Sequence, residues 1–300
     1  VGVLQSRAMP PYPNLVSDST LVQETIDLLR LSGGRANASE IVDAVFKVSN
    51  IDEELAGLLV GDLVKDDRRF KIIDGRFVEL QSNDCETQLL DDLDFVVVDI
   101  EATGAKMPPN RIIELGAYRI RGRKIVDDFR TLVNPEIPIP RFVIALTNIT
   151  NEMVKQAPLF AEVAPRWLEF IEDAVLIAHN APFDTAFINH EISRVYPGHR
   201  MMNPHLCTVT LSRRAFPGLV NYRLDTVAEH FSIPIFNRHR AASDALATAE
   251  VFLRLLDRLA EQGVRDLASA RSFQYPSPAD TKPDTESQLL PPSSQLLSSH

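Results

Sequence analysis

The chain has 300 residues, 45% of them hydrophobic and 24% charged, and a formal net charge of −10. That is the composition of an ordinary globular protein with room for one large domain and a smaller one. It excludes a membrane span, because no apolar run approaches ~20 residues. The first residues also lack the basic start and apolar stretch of a signal peptide. Cys85 and Cys207 lie far apart and match no zinc spacing, so a reducing, cytoplasmic location and no membrane partner are expected. Val1 is an unusual first residue, and whether it is the native start is open.

Residues 1–17 read as a flexible N-terminus, and 18–80 as a small α+β unit. TLVQETIDLLRLSGG carries Leu21, Val22, Ile26, Leu28 and Leu29 at helical spacing, and Gly33-Gly34 stops it. A second short helix opens at Ala38-Ser39-Glu40. A third runs from Asp52 to about Lys65, with acids in its first turn where they favour the helix dipole. RFKIIDGRFVEL then reads as two strands around an Asp74-Gly75 turn. Three helices and a hairpin resemble a winged helix. Its third helix is acidic, which phosphate would repel, and only the hairpin is basic, through Arg68, Arg69, Lys71 and Arg76. A protein-docking or structural role is therefore favoured over DNA contact.

Residues 81–91 read as a linker, 92–270 as one α/β domain and 271–300 as a disordered Ser/Pro-rich tail. Within the domain FVVVDI is a buried strand, RIIELGAYRI and KIVDDFRTLVN are two more, and AVLIAH is a fourth after an amphipathic helix around Trp167-Leu168. Helices are expected at about 183–195, 206–215, 224–231 and 243–262.

Three clusters carry chemistry. Asp99-Ile100-Glu101-Ala102-Thr103-Gly104 ends the first buried strand, and residues two apart in a strand face one way. Asp99 and Glu101 thus stand together at the sheet mouth, an arrangement that is costly unless a cation neutralises it. Asp184 lies in HNAPFDTAFINHEI, in the first turn of a helix beside His179 and Asn180. Arg238-His239-Arg240-Ala241-Ala242-Ser243-Asp244 places a histidine in a loop and an acid five residues on, at the start of the long helix. Singly, each could be a solvated strand end or a helix-start acid. Together, four carboxylates and a mobile histidine fit a two-metal phosphodiester hydrolase. Hard oxygen ligands suit Mg²⁺ or Mn²⁺, two such ions can stabilise attacking and leaving oxygens, and His239 can take a proton near neutral pH.

This set of motifs, in order over about 94–256, resembles the DEDD 3′→5′ exonucleases. The five-residue histidine-to-aspartate spacing is that of their histidine branch, DEDDh, and the chain is similar to the epsilon proofreading subunits of bacterial replicative polymerases. The resemblance implies a ribonuclease H-like fold, a mixed five-stranded sheet flanked by helices. By position it implies Asp99, Glu101, Asp184 and Asp244 as metal ligands and His239 as general base. It also implies two divalent cations, Mg²⁺ or Mn²⁺, and DNA 3′ ends as substrate, in proofreading or repair.

Regional charge fits that reading. Residues 1–89, 90–271 and 272–300 carry net charges of −6, −2 and −2, and two bound cations would bring the middle segment to about +2. Ala102, Thr103 and Gly104 would approach the terminal nucleotide through their backbone. Phe183 and Asn180 are further substrate candidates, Phe183 by base stacking or else as a core side chain. Arg213-Arg214, Arg238 and Arg240 are candidate phosphate contacts. Leu146-Thr147-Asn148-Ile149-Thr150 resembles a family segment that usually has glycine at Asn148, and asparagine tolerates the left-handed conformation. Alternatives are an exoribonuclease on the same tetrad and an adapter whose nuclease domain mainly docks. Partners could include a polymerase or a sliding clamp, since Gln288-Leu289-Leu290 and Gln295-Leu296-Leu297 weakly resemble clamp-docking peptides.

Overall fold

The computed structural model describes residues 12–65, 67–81 and 84–275. Strand β1 (Leu15–Ser17) pairs antiparallel with residues 199–201, so Leu15 lies opposite Met201. Leu15 is buried, and Asn14 Nδ2 donates to the Leu168 carbonyl at 3.0 Å. The stretch 1–17, expected to be flexible, is tied to the fold from Asn14 on. Three strand residues are too few to show a period, which is why the sequence does not announce them.

The following unit comprises α1 (Thr20–Leu31), β2 (Arg35–Asn37), α2 (Ala38–Ile41) extended by a π turn over Val42–Phe46, α3 (Glu53–Val64), β3 (Phe70–Ile73) and β4 (Phe77–Leu80). Asn37 and Glu40 close a capping box on α2, and Asp52 accepts from Glu54 N and Leu55 N to cap α3. The unit's strands pair in the order β2-β4-β3, with β2 between the first two helices. Val22, Ile26, Leu29, Ile41, Val60 and Val64 form this unit's own core. Strand β2 was not legible, because Arg35-Ala36-Asn37 carries no strand-forming side chains.

The stretch expected as a linker is tied down. It makes 3₁₀ turns at Asp84–Thr87 and Leu90–Asp92, buries Leu90 and bridges Leu89 to Asp266. The larger body then follows as β5 (Phe95–Ala102), β6 (Ile112–Arg121), β7 (Lys124–Leu132), α4 (Arg141–Thr147), α5 (Asn151–Lys155), α6 (Phe160–Ile171), β8 (Val175–Ala178), α7 (Ala181–Val195), β9 (His199–Met201), β10 (His205–Cys207), α8 (Thr208–Ala215), α9 (Leu224–His230), α10 (Ala241–Glu261) and α11 (Leu267–Gln274).

The main sheet has the order β10-β8-β5-β6-β7, antiparallel from β5 to β7 and parallel from β5 through β8 to β10. This is the ribonuclease H-like arrangement. Its fifth strand, His205–Cys207, falls where the sequence suggested the start of a helix. The edge of β8 supplies the pairing, and the helix begins only at Thr208. The period-two pattern of β5 sends Phe95 and Val97 into a core with Phe252 and Leu255 of α10. Val96, Val98 and Ile100 pack into a core with Trp167 of α6 and Phe187 of α7.

Helix α11 overruns the boundary expected at 270. Buried Gln274 accepts from Cys207 N at 3.0 Å, so the chain is folded up to that point. The rest of the expected tail, including the two Gln-Leu-Leu segments, lies outside the described residues. Among the described residues no helix is long and apolar enough to cross a membrane, and Cys85 and Cys207 are free thiols.

Candidate active site

The carboxylates gather where β5 ends. Asp99 and Glu101 continue the face of β5 that looks toward α10, and the register with β6 shifts at Glu101/Ala102. A bulge of this kind turns a strand's last side chains and stops its pairing. Asp99 lies opposite Gly116 on β6. A Cβ on Gly116 would sit 2.4 Å from Ala242 N and 2.5 Å from Ala241 C. The missing side chain therefore lets the first turn of α10 lie directly on the sheet, which carries Asp244 to the two acids of β5. From the other face, Asp184 in the first turn of α7 accepts from Ile100 N at 3.2 Å. All four sequence-derived carboxylates are thus drawn to one end of one strand.

Electrostatics make this cluster a place for positive charge. Burial, then the charges of Asp184, Glu101 and Asp244, holds the Asp99 carboxyl well above the usual carboxylate range. Glu101 is pushed up to about 8 by burial, then by Asp244 and Glu114. Burial likewise raises Asp184 and Asp244, against hydrogen bonds from Ile100 N and the charge of Arg238 respectively.

The donor set fits a divalent cation. One ligand atom each of Glu101, His239 and Asp244 lies within 4.8 Å of the others. Asp244 Oδ1, though buried, has no protein partner, which is unusual for a buried acceptor. The sequence assigned His239 no ligand role, yet the structure includes its ring in this group. His239 has φ 62°, and burial, then the Arg238 charge, lowers its pKa below the ordinary 6.5.

The remaining sequence candidates divide. Thr103 uses its N–H and hydroxyl within the protein. Its N–H donates to Arg111 O at 2.9 Å, and its hydroxyl is used by Asn110 Oδ1 and Arg111 N. Gly104 is needed for a close approach, but to the Asn110 side chain, which a Cβ would meet at 2.6 Å. Ala102 remains half-buried at the bulge. Phe183 is also half-buried and packs on Phe187 at 4.9 Å, so it belongs to the core edge. Asn180 is exposed, with φ 87° and no capping bond from its side chain. Its neighbour His179 is fixed between Thr208 Oγ1 and Tyr222 O, each at 2.9 Å, and burial lowers its pKa to about 4. Neutral and held, it braces the loop. Asn148 adopts φ 57° as the cap of α4, so the loop keeps its turn without glycine.

The arginines proposed for phosphate are engaged with the protein. Arg240 clamps Glu114 from 2.7 Å, and Arg238 ion-pairs with Asp244 while its Nε donates to Asp225 Oδ1 at 2.8 Å. Arg213 lies over Tyr222 and Arg214 over Phe273. In the hairpin, Arg69 is spent on Asp67 and the Ser17 carbonyl.

Sequence reasoning missed three residues. Glu114, directly across from Glu101, takes the Arg240 clamp and accepts from Ala241 N at 2.9 Å, fixing the start of α10. Buried Glu191 on α7 holds Arg111 at 2.6 and 3.0 Å, locking α7 to the start of β6. An arginine beside the Ile112 strand and an acid nearly three turns into α7 carry no local signal that they meet.

Comparison with known proteins agrees with this geometry. The exonuclease family RNase_T matches residues 96–252. A PolC-type DNA polymerase III from Caldanaerobacter subterraneus subsp. tengcongensis is 46% identical over 189 residues, 63% of this chain but only 13% of that polymerase. DNA polymerase III subunit epsilon from Aquifex aeolicus is 40% identical over 181 residues, 60% of this chain and 89% of that subunit. E. coli Exonuclease I, solved in complex with a dT13 oligonucleotide, matches in fold with a TM-score of 0.50 at 16% identity, over 57% of this chain and 42% of that one.

Proposed function

The chain belongs to the RNase_T exonuclease family, and on that premise we propose that it removes nucleotides one at a time from DNA 3′ ends with the help of divalent cations. The observation that carries this reading is the convergence of Asp99, Glu101, Asp184 and Asp244 on one strand end beside His239. The unpartnered Asp244 Oδ1 supports it.

The four carboxylates would hold two divalent cations, Mg²⁺ or Mn²⁺, which when bound supply charge stabilisation for the phosphate and acidify the attacking water. His239, neutral because its pKa is lowered, receives that water's proton. The water oxygen joins phosphorus, and the bond from phosphorus to the 3′ oxygen of the preceding nucleotide breaks with its electron pair staying on that oxygen. That oxygen takes a proton from solvent to become the new 3′ hydroxyl, and a nucleoside monophosphate leaves. Ala102 and the exposed Asn180 would flank the terminal nucleotide. DNA is favoured because the relatives are named as DNA polymerase III proteins, and association with a polymerase, in a reducing cytoplasm, goes with that reading. The winged-helix unit over 18–80 would serve as a docking element, its acidic α3 being unsuited to phosphate.

The test is the purified full chain on 5′-labelled single-stranded DNA, mismatched duplex and RNA, with Mg²⁺, Mn²⁺ or EDTA. Stepwise shortening of DNA is expected, abolished by EDTA and by Asp244→Asn in a protein of unchanged circular dichroism. Cleavage that persists under either condition overturns the metal-dependent reading. Faster shortening of RNA than of DNA moves the substrate to RNA.

A further inference from the structure

One cationic side chain stands inside the acid cluster. Arg238 is bonded along two edges: Nη1 ion-pairs with Asp244 Oδ2, and Nε donates to Asp225 Oδ1 at 2.8 Å. Asp225 lies in the first turn of α9, so the guanidinium is tethered to one helix while it neutralises the first turn of another. Its side chain keeps 32% of its accessible surface, which leaves it room to move. His239 N also donates to Asp244 Oδ2, at 3.2 Å. The Asp244 oxygen that a cation could take without rearrangement is therefore Oδ1. Any cation drawing on both oxygens must displace the Arg238 contact.

We propose that Arg238 is a tethered counter-cation that competes with divalent ions for Asp244 and so sets the enzyme's metal affinity. The inference rests on the reading of the carboxylates as metal ligands. Like charges a few ångströms apart repel strongly in a partly desolvated site, so a guanidinium and a divalent ion do not share one carboxylate edge at full strength. The Asp225 tether keeps the released arginine close. With its Nη1 edge freed, it becomes available to a phosphate oxygen, which a planar fork suits. Arg240 does not play this part, because its guanidinium is spread over both oxygens of Glu114, outside the group formed by Glu101, His239 and Asp244.

The experiment measures metal binding without turnover. Free Mn²⁺ is followed by electron paramagnetic resonance as it is titrated with the full-length parent, Arg238→Gln, Arg238→Lys and, as a remote charge control, Arg30→Gln. Arg238→Gln should bind Mn²⁺ about tenfold more tightly, as loss of a nearby positive charge requires. Arg238→Lys and Arg30→Gln should stay within a few-fold of the parent. Equal or weaker binding by Arg238→Gln overturns the proposal, and so does tightening by Arg30→Gln of the same size. Failure of the parent to bind Mn²⁺ at all would overturn the metal-ligand reading itself. Should Arg238→Gln fail to fold, ¹⁵N spectra of arginine side chains in the parent give the answer. Mg²⁺ must shift one Nε–H signal, missing from Arg238→Lys; an unmoved signal ends the idea.

Discussion

At the scale of single residues, the proposed chemistry turns on His239. Its left-handed backbone turns the ring toward Glu101 and Asp244, and burial lowers its pKa below 6.5. A base must be neutral to accept a proton, so activity should be complete above that lowered value and fall as pH drops through it. The acid limb of kcat is therefore expected below pH 6.5, and it should vanish in His239→Ala. That variant, at saturating Mn²⁺, should turn over roughly 10²–10⁴-fold more slowly. If raising the metal concentration instead restores the parent kcat, the ring serves as a ligand and another group takes the proton.

Among elements, the junction of β6 with α10 decides whether the acids meet. Gly116 is buried under the backbone of Ala241 and Ala242, which cannot swing aside as a side-chain tip could. Gly116→Ala should push the first turn of α10 off the sheet and cost about 1–3 kcal/mol, the range for overpacking. Because Asp244 rides on that turn and His239 on the loop that leads into it, kcat should fall even well below the melting temperature. A variant with lowered Tm and unchanged kcat would show that the acids tolerate the shift. The Glu114–Arg240 clamp acts at the same junction. It neutralises the acid facing Glu101 and bonds the first N–H of α10, so strand and helix are joined by charge as well as by close approach.

For the molecule as a whole, the N-terminal unit is held at both ends. Residues before it add β1 to β9 and place Leu15 in the core around Trp167. Residues after it bury Leu90 and bridge Asp266. Arg69 donates to Ser17 O at 3.2 Å, and Arg200 pairs with Asp18 at 3.0 Å across the junction. The described part of 81–91, expected as a linker, is thus packed on the nuclease body, which bears on a truncation that begins at Asp91. Such a truncation removes Leu15, Val16 and Leu90, each buried side chain contributing about 1.5–3 kcal/mol. Its urea midpoint should therefore be clearly lower than that of the full chain. A shortened form that keeps 12–18 and 84–275 around a brief Gly/Ser bridge should recover most of the loss. Equal midpoints for full chain and truncation would mean that β1 and Leu90 add nothing to the nuclease body.

What the sequence determined by itself lies within short reach along the chain. The alternation of FVVVDI set the two faces of β5 and put Asp99 and Glu101 on one of them. The spacing from His239 to Asp244 joined loop to helix, and Asp74-Gly75 set the hairpin turn. Periodicity and turn chemistry report on neighbours a few residues away, so such features survive in one dimension. Tertiary structure alone decided which distant groups share space. It turned His205–Cys207 into a strand by offering the edge of β8, and made Gly116 a seat for α10. It also drew Arg69 onto the Ser17 carbonyl and set Arg240 on Glu114, 126 residues away. An arginine's charge is plain in the sequence. Whether it meets solvent, phosphate or a carboxylate depends on what a hundred intervening residues bring beside it.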